Sequence, residues 1–254
     1  MRTRLLLVDD QELLRIGLRA VFEKIETFEV VGDCRDGRDA LQLAASAKPD
    51  VVLMDIALPG VGGLEVTAQL KRRMPQVRVM LLTRFRTGEY LREALRVGAD
   101  GYILKDTTLD QLLLAVRSVS AGKKYISPDV ADHVVDSFLH PDKAAGSHSP
   151  LEVLTSRERT IMQLIAEGRT NRSVAEFLNV SPKTVEKHRG NLMHKLGLTS
   201  AAELMLVAME MGFIQRPDPV SRLMDHAAKE PQGGHSGAQH GQSPAWASDH
   251  PQRA

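Results

Sequence analysis

A doubly wound parallel α/β sheet followed by a small all-α unit is the fold class this sequence predicts, and three observations predict it. Short apolar runs alternate with amphipathic segments five times over residues 1–121. Two of those runs end in acids: Leu5-Leu6-Leu7-Val8 in Asp9-Asp10, and Val51-Val52-Leu53-Met54 in Asp55. Beyond residue 149 the strand signals stop, and four short helical patterns occupy the chain to residue 214.

The strands are expected at about 4–8, 28–34, 51–54, 77–82 and 101–104, near-continuous apolar runs of the kind buried on both faces of a parallel sheet. Between them lie helical segments at about 12–24, 37–47, 63–73, 88–97 and 108–121. Leu13, Ile16, Gly17, Ala20 and Val21 recur at helical spacing in the first, as do Leu91, Ala94, Leu95 and Gly98 in the fourth. Alternation of this kind gives a (βα)5 sheet with right-handed crossovers, whose functional crevice lies at the carboxyl ends of the strands.

Residues 122–148 read as a linker with a short helix. Ser127 and Pro128 supply its N-cap and first position, ahead of Val130, Val134, Val135 and Phe138. Within 149–214, Thr155-Ser-Arg-Glu158 resembles a capping box for a helix that stops at Gly168. A second short helix follows Thr170, a third runs from Ser181-Pro182 to Leu196-Gly197, and Thr199 caps a fourth. Short helix, tight turn and basic helix is the helix-turn-helix arrangement. From 215 to 254 the chain is rich in Pro, Gly, His, Ser and Gln without periodicity, and a disordered tail is expected.

Composition is that of a globular protein, 43% hydrophobic and 26% charged, and a net charge of +1 points to no particular partner. The one cysteine, Cys34, excludes an intrachain disulfide framework and fits a reducing compartment. It ends an apolar stretch and reads as a buried, inert thiol. No stretch approaches the roughly 20 apolar residues of a membrane span, so a soluble cytoplasmic protein is expected.

The strand ends carry the chemistry. Asp9, Asp10 and Asp55 are joined by Thr83, which closes Val79-Met80-Leu81-Leu82, and by Lys105, which closes Gly101-Tyr102-Ile103-Leu104. Clustered carboxylates repel one another unless a hard cation shares them, and an oxygen-lined Mg²⁺ site is the natural partner. A metal and an ammonium neutralise phosphoryl oxygens, a hydroxyl binds one of them, and the remaining carboxylate is free to accept the group. Taken singly the residues have plainer readings: solvating strand-end acids, a salt-bridging lysine, a β-favouring threonine and a half-buried packing tyrosine.

With these residues in order, the first 120 residues resemble the receiver domain of two-component response regulators. The remainder resembles a LuxR-type helix-turn-helix, which together is the NarL/FixJ class. The resemblance implies a flavodoxin-like receiver in which Asp55 takes a phosphoryl group from a histidine kinase. It implies that Asp9, Asp10, Asp55 and the backbone carbonyl of Ala57 hold Mg²⁺, that Thr83 bonds the phosphoryl oxygen, and that Lys105 pairs with it. Tyr102 matches the aromatic that swings inward in the active state. The chain departs from the usual pattern at Ala57, Gly62, Arg84 and Phe85. Arg84 and Phe85 stand where they would tune water's access to the acyl phosphate. A dehalogenase-type phosphatase is excluded because Ala57 replaces its second acid, and Gly60-Val-Gly-Gly63 lacks the lysine of a phosphate-binding loop.

Ser181–Leu196 holds Lys183, Lys187, Arg189 and Lys195 against Glu186 alone. On a helical wheel Val185, Leu192 and Leu196 share the buried face, while Lys183, Lys187, Gly190, Asn191 and His194 lie opposite. That face suits a major groove: Lys187 and Asn191 can reach base edges, Lys183 suits phosphate, and Gly190 permits close approach. Likeness to the LuxR-type unit adds Thr170, Asn171 and Thr184 as backbone contacts.

The resulting expectation is a phosphorylation-dependent transcriptional regulator that binds double-stranded promoter DNA, dimerises on phosphorylation and admits RNA polymerase as a further partner. It is not an enzyme beyond accepting, and slowly losing, its own phosphoryl group. Two alternatives stand beside it. One is a DNA binder whose receiver is a phosphorylation-independent dimerisation domain. The other is a phosphorelay intermediate, which would need no basic helix.

Overall fold

Five strands recur as the apolar runs demand: β1 (Thr3–Val8), β2 (Phe28–Cys34), β3 (Val51–Asp55), β4 (Arg78–Thr83) and β5 (Gly101–Leu104). They alternate with α1 (Glu12–Glu23), α2 (Gly37–Ala47), α3 (Gly63–Arg73), α4 (Gly88–Arg96) and α5 (Leu109–Ser120). The computed structural model describes residues 2–132 and 150–214.

One feature departs from expectation. The segment read as linker contributes a sixth parallel strand, β6 (Tyr125–Ile126), which pairs with β5 through Gly101 and Tyr102. Two residues are too short for a periodicity signal; Tyr125 N donates to Asp100 O and Ser127 N to Tyr102 O, so the neighbouring strand defines this one. The expected helix after Ser127 begins as read, with residues 128–132 helical. Its later positions and the tail from residue 215 lie outside the described residues.

All pairings are parallel, in the order β2-β1-β3-β4-β5-β6. The chain leaves β1 toward β2 on one side and returns to β3 on the other. The topological switch point, and hence the crevice, therefore lies at the carboxyl ends of β1 and β3. Alternating strand residues form two cores. Leu6, Val8, Val52, Met54, Leu81 and Tyr102 face one layer, with Ala40, Ala44, Leu70, Leu91 and Ala94 from α2, α3 and α4. Leu5, Leu7, Val51, Leu53, Met80 and Ile103 face the other, with Leu18, Phe22, Leu112 and Val116 from α1 and α5.

In α1 the apolar residues that gave the helical spacing are not all in the core. Leu13 is 85% exposed and Ile16 57% exposed, and the core instead takes Leu18 and Phe22. Helical spacing identifies a helix but not which of two apolar stripes packs. Cys34 is buried as expected, and burial pushes its thiol up to about 12, so it stays protonated at neutral pH.

The α-helical part comprises a short α6 (Pro150–Val153), α7 (Ser156–Ala166), α8 (Asn171–Leu178), α9 (Pro182–Leu196) and α10 (Ala201–Glu210). The capping box at Thr155 and Glu158 is present. The turn between α8 and α9 uses Asn179 in the left-handed region (φ 54°) as C-cap, then Ser181 as N-cap and Pro182 in the first turn. The α10 cap is Ser200 rather than Thr199; both contact Glu203, but the Ser200 hydroxyl accepts from Glu203 N.

Asp100, 4% exposed, holds the amino-terminal edge of the sheet together. Its carboxylate contacts Lys71 Nζ, accepts from Val79 N at 2.9 Å, and pairs with Arg78 and Lys124 at 3.3 and 3.2 Å. Burial alone would raise its pKa, but the bonds from Lys71 and Val79 and the charges of Lys71 and Lys124 hold it below the usual carboxylate range. Asp100→Asn should destabilise the receiver fold by about 3 kcal/mol at neutral pH, because it leaves the half-buried Lys71 without its charge partner. A depressed carboxylate contributes above the unfolded-state pKa and loses that contribution as pH falls through the folded one. Urea titrations should therefore show the wild type and variant converging in acid.

Candidate functional site

At the switch point Asp9 is 2% exposed, Asp55 2% and Thr83 0%, all at the carboxyl ends of β1, β3 and β4. One carboxylate oxygen from each of Asp9, Asp10 and Asp55 lies within 4.8 Å of the others. Lys105 bridges the group: Nζ donates to Asp55 Oδ2 at 2.7 Å and lies 2.7 Å from Asp9 Oδ2, a close ion pair without hydrogen-bond alignment. Asp10 Oδ1 is buried and unpartnered. Burial raises the pKa of Asp9 and Asp10, and the charge of Asp55 adds to the rise in both.

Backbone amides fix the carboxylates. Gln11 N donates to Asp9 Oδ1 at 2.9 Å, and Ala57 N donates to Asp55 Oδ1 at 3.1 Å. The Ala57 carbonyl accepts no hydrogen bond among the described residues. The loop then closes tightly: Gly63 N donates to Ile56 O, and a side chain at Gly63 would collide with Asp55 O. The crevice thus pairs a desolvated acid cluster with one ammonium, an arrangement that can hold a divalent cation and receive an anion.

Thr83 and Tyr102 meet through residue 85. Thr83 Oγ1 accepts from Phe85 N at 3.1 Å, and the Tyr102 hydroxyl donates to Phe85 O at 2.8 Å. Tyr102 is fully buried.

In the helical part, Lys183, Lys187, Gly190, Asn191 and His194 are exposed on α9, while Val185 and Leu192 are buried; Leu196 is only half-buried. The outward face therefore follows the wheel. Three other residues read as DNA contacts have local tasks. Thr170 caps α8 by accepting from Ser173 N. Asn171 is half-buried and accepts from Arg189 Nη1 at 3.5 Å, tying α8 to α9. The Thr184 hydroxyl is 2.8 Å from that of Ser181.

Residues 5–117 match the response regulator receiver domain, and residues 152–208 match the luxR family of bacterial regulatory proteins. The chain is 37% identical over 211 residues to the response regulator GacA of Pseudomonas aeruginosa, covering 83% of this chain and 97% of that protein. It is 37% identical over 215 residues to the oxygen regulatory protein NreC of Staphylococcus aureus, covering 84% and 99%. The chain belongs to the two-component response regulators. A LuxR-family response regulator from an Aurantimonas species aligns at TM-score 0.53 and 30% identity, over 55% of this chain and 99% of that one. The DNA complex of the response regulator RcsB aligns at TM-score 0.52 and 25% identity, over 82% and 98%.

In this response regulator the helix-turn-helix docks on the receiver through residues the sequence reading missed. Glu93 on α4, 4% exposed, is chelated by Arg96 at 2.6 and 2.7 Å and paired with Arg159 on α7 at 2.7 Å. Arg159 also donates to the carbonyls of Leu151 and Leu154. Gln163 donates to Leu58 O at 2.5 Å, and Gly60 N donates to Glu167 at 2.7 Å, so α7 clasps the loop that follows Asp55. Gly60 sits at φ 76° with the Phe177 ring packed against it. The Tyr90 hydroxyl donates to Met211 O, and the Tyr90 ring stacks on Phe85 with centroids 4.1 Å apart. The available signal was Arg159, Gln163 and Glu167, polar residues at four-residue spacing along α7 and its C-cap.

Burial would raise the Glu93 pKa, but Arg96 and Arg159 outweigh it and hold the carboxyl below its ordinary value. Glu93→Gln should weaken docking by about 3 kcal/mol, since Arg159 then remains buried without a counter-charge. Acidification through the depressed Glu93 pKa should do the same to the wild type. Hydrogen exchange checks both: α7 amides should exchange faster while β1 and β3 stay protected.

Proposed function

We propose that this response regulator accepts a phosphoryl group from a histidine kinase on Asp55 and thereby changes how its LuxR-type domain engages promoter DNA as a dimer in the cytoplasm. The observation that carries the reading is the crevice itself, in which Asp9, Asp10 and Asp55 converge around the Lys105 ammonium. The orphaned Asp10 Oδ1, the acceptor-only donor set and the unbonded Ala57 carbonyl fit Mg²⁺, which Asp9, Asp10, Asp55 and Ala57 O would hold. Bound there, the ion supplies the positive charge that lets two anions meet.

Asp55 Oδ attacks phosphorus, and the bond from phosphorus to the kinase imidazole breaks with its electron pair going to nitrogen. Lys105 already contacts Asp55 and turns to the new phosphoryl oxygens, while the Thr83 hydroxyl moves to bond one of them. Moving Thr83 disturbs its bond from Phe85 N, and Phe85 also receives Tyr102 and stacks on Tyr90. Tyr90 in turn holds Met211 of the DNA-binding part. The charge therefore reaches the docking contacts through Phe85 and Tyr90, as a bias between docked and released populations.

The exposed α9 face supports DNA reading by Lys183, Lys187, Gly190 and Asn191, and the RcsB complex supports it by likeness of fold and sequence. Exposed Met205 and Leu206 on α10 support a dimer contact there.

With Mg²⁺ and acetyl phosphate, intact-mass spectrometry should find one phosphoryl group on the wild type and none on Asp55→Asn. Equal labelling of the variant would remove the assignment. Lys187→Ala should leave that labelling intact and weaken operator binding by ~1–3 kcal/mol if Lys187 reads a base, relaxing preference at one position. If Lys187 meets only phosphate, affinity should fall evenly across sequences and the salt dependence should become shallower. Titrations on matched and single-base-changed sites at several salt concentrations separate the two.

A further inference from the structure

Beside the acid crevice opens a second cleft of about 460 Å³, lined by Gln11, Leu14, Arg84, Lys105 and Asp106. Two of these residues are set side by side by backbone bonds. Arg84 directly follows Thr83, in a turn held by the bond from Phe85 N to Thr83 Oγ1. Lys105 N donates to Thr83 O at 2.7 Å, so the loop bearing Lys105 runs against the loop bearing Arg84.

The cations around this cleft are not equally committed. The Lys105 ammonium is held by Asp55 and Asp9. Arg86 pairs with Asp106 and Asp129, which removes the cleft's own acid as a partner for Arg84. Arg84 is exposed and makes no hydrogen bond or ion pair among the described residues. A guanidinium thus stands free at the mouth of a cleft whose inner end is the lysine on the acceptor carboxylate.

We propose that Arg84 is a specificity-determining residue for acyl phosphate donors, its guanidinium receiving the carboxylate that leaves as the phosphoryl group passes to Asp55. The inference rests on the reading of Asp55 as acceptor. In the step, Asp55 Oδ forms a bond to phosphorus while the bond from phosphorus to the acyl oxygen breaks. The electron pair goes to that oxygen, a free carboxylate departs, and no proton need move. Phosphoryl transfer is promoted by positioning and by charge placed where charge develops. A planar guanidinium matches a carboxylate through two parallel hydrogen bonds, which an ammonium cannot reproduce. A donor with a phosphorus–nitrogen bond releases a neutral amine or imidazole, which offers the guanidinium no charge. Arg84 therefore tilts this chain toward direct labelling by acyl phosphates, in addition to labelling by a kinase.

The test compares acetyl phosphate with phosphoramidate as donors to the full chain, with Mg²⁺, by intact-mass time courses. Its readout is the ratio of the two second-order rate constants in wild type, Arg84→Ala and Arg84→Lys. In Arg84→Ala the ratio should fall on the order of tenfold, the scale of one charge-assisted hydrogen bond lost at an exposed position. Arg84→Lys should recover only part of it. An unchanged ratio in Arg84→Ala overturns the proposal, and so does full recovery in Arg84→Lys, because attraction of the more highly charged donor would then account for everything. Labelling of all three proteins by phosphoramidate shows that they are folded and accept on Asp55. If phosphoramidate and acetyl phosphate both fail to label wild-type Asp55, it is the acceptor assignment that falls.

Discussion

Mutual repulsion among Asp9, Asp10 and Asp55 is the constraint on which the rest of the site depends. A parallel sheet with its switch point between β1 and β3 forces these carboxylates together, out of bulk water, where burial and the charge of Asp55 make Asp9 and Asp10 harder to ionise. Lys105 from the end of β5 offsets part of that cost by contacting two of them. One ammonium cannot satisfy three carboxylates, and Asp10 Oδ1 is left without a partner. The crevice is thereby poised for a cation and, once charge is balanced, for an anion. The cost is borne by a well-packed sheet whose opposite edge is secured by Asp100 and its basic neighbours.

The same edge of the sheet is wired to the second domain. Phe85 receives bonds at both its backbone groups, donating its amide to Thr83 and accepting from Tyr102, while its ring lies on Tyr90. A residue so placed cannot shift without disturbing Tyr90, which reaches Met211. The second connection is more direct: Gln163 and Glu167 of α7 bond the backbone at Leu58 and Gly60, within the loop that leaves Asp55. The DNA-binding part is thus fastened to the loop that follows β3 and, through Arg159, to a buried carboxylate on α4. The outward face of α9 stays exposed in this docked arrangement. Control through the interface would accordingly act on how α9 is held, rather than by uncovering its side chains.

Much of this was legible in the chain because the signals are local. Continuous apolar runs placed the five strands and period-3.6 patterns the principal helices, since burial needs only residues near in sequence. The acids, Thr83 and Lys105 stood out because each closes an apolar run. The caps at Thr155, Thr170 and Ser181 were readable because a cap bonds an amide two or three residues on. The packed face of α1 was not legible, because Leu13 and Ile16 are apolar yet exposed and spacing cannot choose between two such stripes. β6 escaped notice because a two-residue strand has no period, and its existence is decided by the open edge of β5.

By itself, then, the sequence determined the order of elements, the residues at the strand ends and the outward face of the basic helix, all consequences of backbone geometry over a few residues. Only the tertiary structure decided which distant groups meet. It set Lys105 between Asp9 and Asp55, gave Glu93 to Arg159, put Asn171 on Arg189, and left Arg84 free at the cleft while Arg86 was paired. The reason is physical: a charge's partner is fixed by where the fold brings opposite charge and excludes water, and that depends on packing across the whole chain.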